Sequence, residues 1–193
     1  KLYEAIGSYI NFKGKLYFIA NDGEAGNELW ACDSSGNVQR ITDINAGAEN
    51  SLAIGSPGYK KLNNLEKAGD YLYFAANDGK IGMEPWRTDG TVVGTSLVND
   101  VYPGSIGSNP TNFTYSNNIV YFLIATTQNF SYVEALWRTD ATEAGTFKIF
   151  SSNLDYRITD LTDVNGTLFF YEPFIQTVGG SLYKTNGTIA GTV

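Results

Sequence analysis

Two ten-residue stretches, NDGEAGNELW at 21–30 and NDGKIGMEPW at 77–86, present the same oxygen-bearing side chains twice. Asn21, Asp22 and Glu28 recur as Asn77, Asp78 and Glu84. Carboxylates and amides gathered in a glycine-bearing loop suit calcium, which takes about six to eight oxygens, backbone carbonyls among them. These six residues are the metal-ligating candidates and calcium is the candidate cofactor. The same residue types also close turns on themselves, because Asp or Asn at a turn start accepts hydrogen bonds from nearby backbone N–H groups. The corresponding stretches further on, ATTQNFSYVE and YEPFIQTVGG, lack NDG. That loss favours an architectural role for the phrase.

Other chemistry is narrowed by what the chain contains. It has no histidine, which removes His-based triads and His-based zinc sites. Cys32 is the single cysteine, so no internal disulfide forms. Its counterparts Thr88, Thr139 and Thr185 mark a Thr-sized slot. Carboxylates recur as Asp33/Asp89/Asp140 and Asp43/Asp100/Asp160. A glycosidase needs two carboxyl groups about 5–10 Å apart, whereas repeated positions are spread over different copies of a unit, so a non-enzyme is expected. A second candidate surface is aromatic. Tyr59, Tyr102, Phe130 and Tyr132 lie in or beside stretches that differ between copies, 45–59, 102–110 and 126–132. Exposed rings with polar neighbours suit a glycan or protein ligand, and loops are where such sites arise. With 13 Lys and Arg against 20 Asp and Glu, net charge is −7. Such a chain is repelled by nucleic-acid phosphates and anionic lipid. No apolar run reaches the roughly 20 residues of a membrane-inserted helix.

The elements that must hold these residues are repeated strands. LYF ends at Phe18 and Phe74, VYF at Phe122 and LFF at Phe170. A large aromatic follows each, at Trp30, Trp86, Trp137 and Tyr183, and then SSGN, TDGTVVGT, TDATEAGT or TNGTIAGT. Within a copy, Leu16 and Phe18 alternate with Tyr17 as half-buried strand residues do. The pairs Lys13-Gly14, Gly69-Asp70, Asn117-Asn118 and Asn165-Gly166 mark two-residue hairpin turns. Four short antiparallel strands repeated at this length predict an all-β fold, a β-propeller of four-stranded blades. The repeats run approximately 7–44, 62–101, 111–150 and 158–193, in a single domain over 1–193. The closing GTV and opening KLY together read like GTFKIF at 145–150. Residues 1–6 are therefore expected to supply the outermost strand of the last blade and close a ring of four. The alternative is part of a larger propeller.

The segments NELWACDSSGN, MEPWRTDGTVVGTSLVNDVYPGSIGSNP, EALWRTDATEAGT and SLYKTNGTIAGT carry a recognisable pattern. It resembles the bacterial ELWxxDGT-repeat family of large secreted or cell-surface proteins. The first copy lacks DGTxxGT and the fourth has Tyr183 in place of Trp. The resemblance implies an extracellular or cell-surface location and adjoining domains in a longer parent chain, and it brings no catalytic residues. The expected function is a non-catalytic module for adhesion or scaffolding that binds a protein or glycan through its variable loops. A lectin-like carbohydrate-binding module and a secreted hydrolase are the alternatives.

Overall fold

Period-two alternation around LYF, VYF and LFF becomes the second strand of each of four antiparallel sheets. The computed structural model describes residues 5–47, 49–52, 65–128, 131–153, 155–174 and 179–193, with the side chains of 5–8 and 128 left aside. Sheet I comprises β1 (Ala5–Phe12), β2 (Lys15–Asn21), β3 (Asn27–Cys32) and β4 (Val38–Arg40), in that order. Sheet II follows with β5 (Glu66–Ala68), β6 (Tyr71–Asn77), β7 (Met83–Thr88) and β8 (Ser96–Leu97). Sheet III is β9 (Thr111–Ser116), β10 (Ile119–Gln128), β11 (Ser131–Thr139) and β12 (Phe147–Ser151). Sheet IV has β13 (Thr159–Val164), β14 (Thr167–Pro173) and β15 (Gly180–Thr185). The chain falls into two compact units, residues 1–111 and 112–193, each holding two of these sheets.

Sheet IV has three strands among the described residues, where four were expected. Ala5, assigned from sequence to the edge of the last sheet, instead pairs with Ala20 of β2. A bulge between Ala5 and Tyr9 lets β1 run back past its hairpin partners. Residues 1–4 lie outside the described residues. Lys184 and Val193 do exchange two backbone hydrogen bonds, at 2.9 and 3.0 Å. Arg138 and Phe147 are paired at the corresponding place in sheet III.

Each unit buries a core by the same rule. In the first, Tyr17, Ile19, Leu29 and Ala31 of sheet I pack with Leu72, Phe74, Ala76 and Trp86 of sheet II. In the second, Tyr121, Leu123, Leu136 and Ile149 of sheet III pack with Leu168, Phe170 and Tyr183 of sheet IV. The face bearing the middle residue of the LYF-type triplet in one sheet thus meets the face bearing the triplet's outer residues in the next, which is what strand alternation makes possible. The large aromatic of β3 and its equivalents lies on the face of the triplet's last residue: Tyr183 stacks on Phe170 with ring centroids 5.2 Å apart, and Trp137 on Phe122 at 6.5 Å.

The hairpins between first and second strands adopt the positive φ that their residues suit. Lys13, Gly14, Gly69, Asn117, Asn118, Asn165 and Gly166 are all left-handed, while Asp70 is not. The turn between third and fourth strands is a closed hydrogen-bond circuit repeated three times. Asp89 Oδ1 accepts from Thr91 N (2.9 Å) and Thr91 Oγ1 (2.7 Å), and Gly94 N donates to Thr91 Oγ1 (2.9 Å). Thr95 Oγ1 joins Thr88 Oγ1 at 2.8 Å. Asp140, Thr142, Gly145, Thr146 and Thr139 reproduce the circuit, as do Asn186, Thr188, Gly191, Thr192 and Thr185. Sheet I lacks this motif, and Asp33 closes its turn by accepting from Ser35 N and Asn37 N. At the tip of the sheet II circuit Val92 and Val93 are 69% and 97% exposed.

One copy departs from the motif in a way that strains the backbone. Gly90 and Gly187 have φ of 97° and 88°, and the equivalent Ala141 has φ of 72°. An L-residue with a Cβ is disfavoured there by about 1 kcal/mol. Ala141→Gly is therefore expected to raise the stability of the second unit by about 0.5–1 kcal/mol, read as an upward shift of the melting temperature. An unchanged or lower melting temperature would remove the strain assignment.

Candidate functional site

The glutamates singled out as metal candidates are buried at the ends of inner strands. Glu28 and Glu84 are both 0% exposed. Glu28 Oε2 accepts from Thr42 Oγ1 at 2.6 Å, and its Oε1 accepts from Ser51 Oγ. Glu84 accepts Val101 N (3.1 Å), Tyr102 N (3.3 Å), Ser108 N (2.8 Å) and the Ser108 hydroxyl. All of these donors lie in the segment that leaves the sheet. The carboxylates therefore tie the outgoing linker to the sheet end. Burial raises the pKa of both, against the lowering effect of their hydrogen bonds.

The Asx residues of the two phrases close the loop between second and third strands. Asn21 Oδ1 accepts Gly23 N at 2.7 Å, and Asp22 Oδ1 accepts Glu24 N and Ala25 N, both at 2.9 Å. Asn77 accepts Gly79 N at 2.7 Å, and Asp78 accepts Lys80 N (2.9 Å) and Ile81 N (3.0 Å). The closing glycines are dictated by contact: a Cβ on Gly26 would overlap the backbone at Glu49, and one on Gly82 the backbone at Gly107. Arg40 bridges Asp22 and Asp43, at 3.3 and 3.2 Å. In sheet II Leu97 stands at the Arg40 position, opposite Trp86 as Arg40 is opposite Trp30. Asp100 Oδ1 is buried there with no hydrogen-bond partner. Among the described residues no group of three or more His, Cys, Asp or Glu side chains is placed to hold a metal ion.

The aromatic candidates divide. Tyr59 and Phe130 lie outside the described residues. Tyr102 is 38% exposed in the first unit, and burial together with nearby Glu84 raises its hydroxyl pKa. Tyr132, in the second unit, is half-buried at the start of β11 and is fixed from several sides. Its N–H donates to Asp155 Oδ1 (2.9 Å), its carbonyl accepts from Asp155 N (2.6 Å), and its hydroxyl donates to Glu134 Oε1 (3.1 Å). Burial, with Glu134 beside it, pushes the phenol up to about 12. Burial likewise raises Glu134, although Ile158 N donates to its Oε2 at 2.6 Å.

Around Tyr132 the structure gathers residues that sequence reasoning missed. Exposed Arg157 lies over the Tyr132 ring, its guanidinium carbon 5.0 Å from the centroid. Tyr156 and Phe174 form a ring pair 6.2 Å apart, inclined at 51°, and Phe174 is 42% exposed. Behind them Glu172 is buried, accepting from Asn153 N (2.8 Å) and from the Tyr183 hydroxyl (3.2 Å). The β12–β13 linker thus spans Tyr132 and Phe174, held by Glu134 on one side and Glu172 on the other. The resulting patch combines Tyr132 at the start of β11, Phe174 just past β14, and Tyr156 and Arg157 on the β12–β13 linker, all where this unit departs from the repeat.

No family model and no curated protein matches the chain. Solved structures do share its fold. A prolyl endopeptidase analysed for inter-domain dynamics in catalysis and specificity superposes with a TM-score of 0.55 at 10% identity, over 93% of this chain and 24% of that one. The AtxE2 isopeptidase is similar at a TM-score of 0.46 and 13% identity, over 86% of this chain and 24% of that one. The chain therefore spans about a quarter of the length of these solved chains. At such identities the endopeptidase likeness speaks to fold alone: an all-β, β-propeller-like arrangement of antiparallel sheets.

Proposed function

We propose that this chain is a non-catalytic extracellular binding module for adhesion or scaffolding, of the ELWxxDGT-repeat kind, which takes a protein or glycan on its variable loops. In this reading the four sheets are blades of one ring. The observation that carries the binding reading is the patch around Tyr132. The β2–β3 and β6–β7 connections of the first unit, equivalent to those at Tyr132 and Phe174, are turns closed on themselves by Asn21, Asp22, Asn77 and Asp78. In the second unit the β14–β15 connection instead exposes Phe174, and the β12–β13 linker, braced by two buried carboxylates, carries half-buried Tyr156 and exposed Arg157. Bracing matters because a loop ordered in advance loses less entropy on binding. The repeated carboxylates Asp22, Glu28, Asp78 and Glu84 serve turns and linkers.

A glycan array and a cell-surface protein panel, each run with and without calcium, test this reading. Binding is expected, and Tyr132→Ala, Tyr156→Ala or Phe174→Ala should weaken it by about tenfold, as removal of an aromatic anchor does. Tyr102→Ala tests whether the first unit shares the task. Absence of any ligand, or undiminished binding by all four variants, would sink the proposal.

A further inference from the structure

The chemistry of the patch narrows the ligand. Arg157 makes no hydrogen bond or ion pair among the described residues; its guanidinium lies over the Tyr132 ring, and its charge acts on nearby Glu134. The carboxylates beside it accept other donors and no hydrogen bond from it: Asp155 Oδ1 takes Tyr132 N, and Glu134 takes the Tyr132 hydroxyl and Ile158 N. A guanidinium laid over an aromatic ring keeps its in-plane N–H donors for a second partner, and their fork fits a carboxylate. Next in sequence, Tyr156 faces Phe174 at 6.2 Å, offering apolar ring faces to the C–H face of a sugar. The chain's net charge of −7 repels a densely anionic polymer over long range. It leaves a single carboxylate, met at one local cation, as the matching feature.

Resting on the reading of this patch as the ligand surface, we propose that Arg157 selects a glycan bearing one uronic acid, with its carboxylate on the guanidinium and its sugar ring against Tyr156 and Phe174. Tyr132 acts as a positioning residue that holds Arg157 in place.

Calorimetry with a glucuronic-acid-terminated trisaccharide and its glucose-terminated counterpart tests this. The acidic sugar is expected to bind at least about tenfold more tightly, the worth of one charge-assisted contact. Arg157→Gln should bring the two to the same affinity, and Arg157→Lys should recover only part of the difference. Arg157 is exposed, so these variants should melt with the parent. Equal affinity for both sugars in the parent, with loss on Tyr156→Ala, would overturn the uronate inference and leave the loop-binding reading intact. So would an unchanged acid preference in Arg157→Gln. Binding of peptides bearing a free C-terminal carboxylate, with no glycan bound, would assign Arg157 to a different ligand class and overturn it as well. No binding by any probe would remove both readings together.

Discussion

Glu84→Ala lowers the stability of the first unit by about 3 kcal/mol, seen as a fall in the urea midpoint at constant m-value. Three backbone N–H groups and one hydroxyl converge on this fully buried carboxylate. Removing the acceptor leaves those donors unpaired, at about 1–3 kcal/mol for each that water cannot reach. Glu84→Gln costs less, because its carbonyl still accepts on one side. The two variants also separate in pH dependence. Burial raises the folded pKa of Glu84. A carboxyl raised on folding contributes stability that is present below its unfolded pKa and lost as pH rises through the folded one. Gln does not titrate, so the deficit of Glu84→Gln against the parent should shrink from acid to neutral pH. A deficit that widens instead, or Glu84→Ala as stable as the parent, would show that the linker is held by other contacts.

Gly145→Ala is expected to cost about 2 kcal/mol although Ala is ordinarily the easier residue to order. Gly145 is not required by its backbone angle. A Cβ there would overlap the Asp140 carboxylate, as one on Gly94 would overlap Asp89 and one on Gly191 the Asn186 amide. The second glycine of DGTxxGT therefore makes room for the first residue of the same motif. Asp140→Ala alone should cost about 1 kcal/mol, since Asp140 Oδ1 accepts from Thr142 N (3.0 Å) and Thr142 Oγ1 (2.6 Å). In the double variant the overlap is gone, so the two losses should add to less than their sum. Strict additivity in the thermal melts would refute the steric account.

Most of the fold was legible because strand alternation and turn chemistry are local. The LYF triplets, the left-handed pairs and the DGTxxGT circuits all follow from residues within a few positions of one another. The edge of sheet IV was not legible. Placing Ala5 beside β2 and not at that edge required knowing that a bulge lets β1 extend back past Tyr9, and no residue type announces it. The glutamates were seen, but not the partners the fold gives them. Glu28 and Glu84 sit beside NDG and look like ligands, yet their partners lie 14–24 residues downstream. Their counterparts are shifted out of alignment: Glu134 lies one position earlier relative to the strand aromatic, and Glu172 lies on β14 instead of the following strand. Of the aromatic candidates, Tyr132 was reached through its variable loop. Arg157, Tyr156 and Phe174 were missed because they come from a linker and a hairpin that only the fold brings beside it.

The self-contained circuit of TDGTxxGT has a consequence for its middle pair. Every bond in it is made by the threonines, the leading Asx, the glycines and one carbonyl, as Thr95 N to Val92 O at 3.2 Å illustrates. Val93 points almost wholly into solvent, so the frame asks nothing of its side chain. Such tips are permissive ground. Each copy can carry its own decoration there, or a spectroscopic label at position 93, without renegotiating the scaffold beneath.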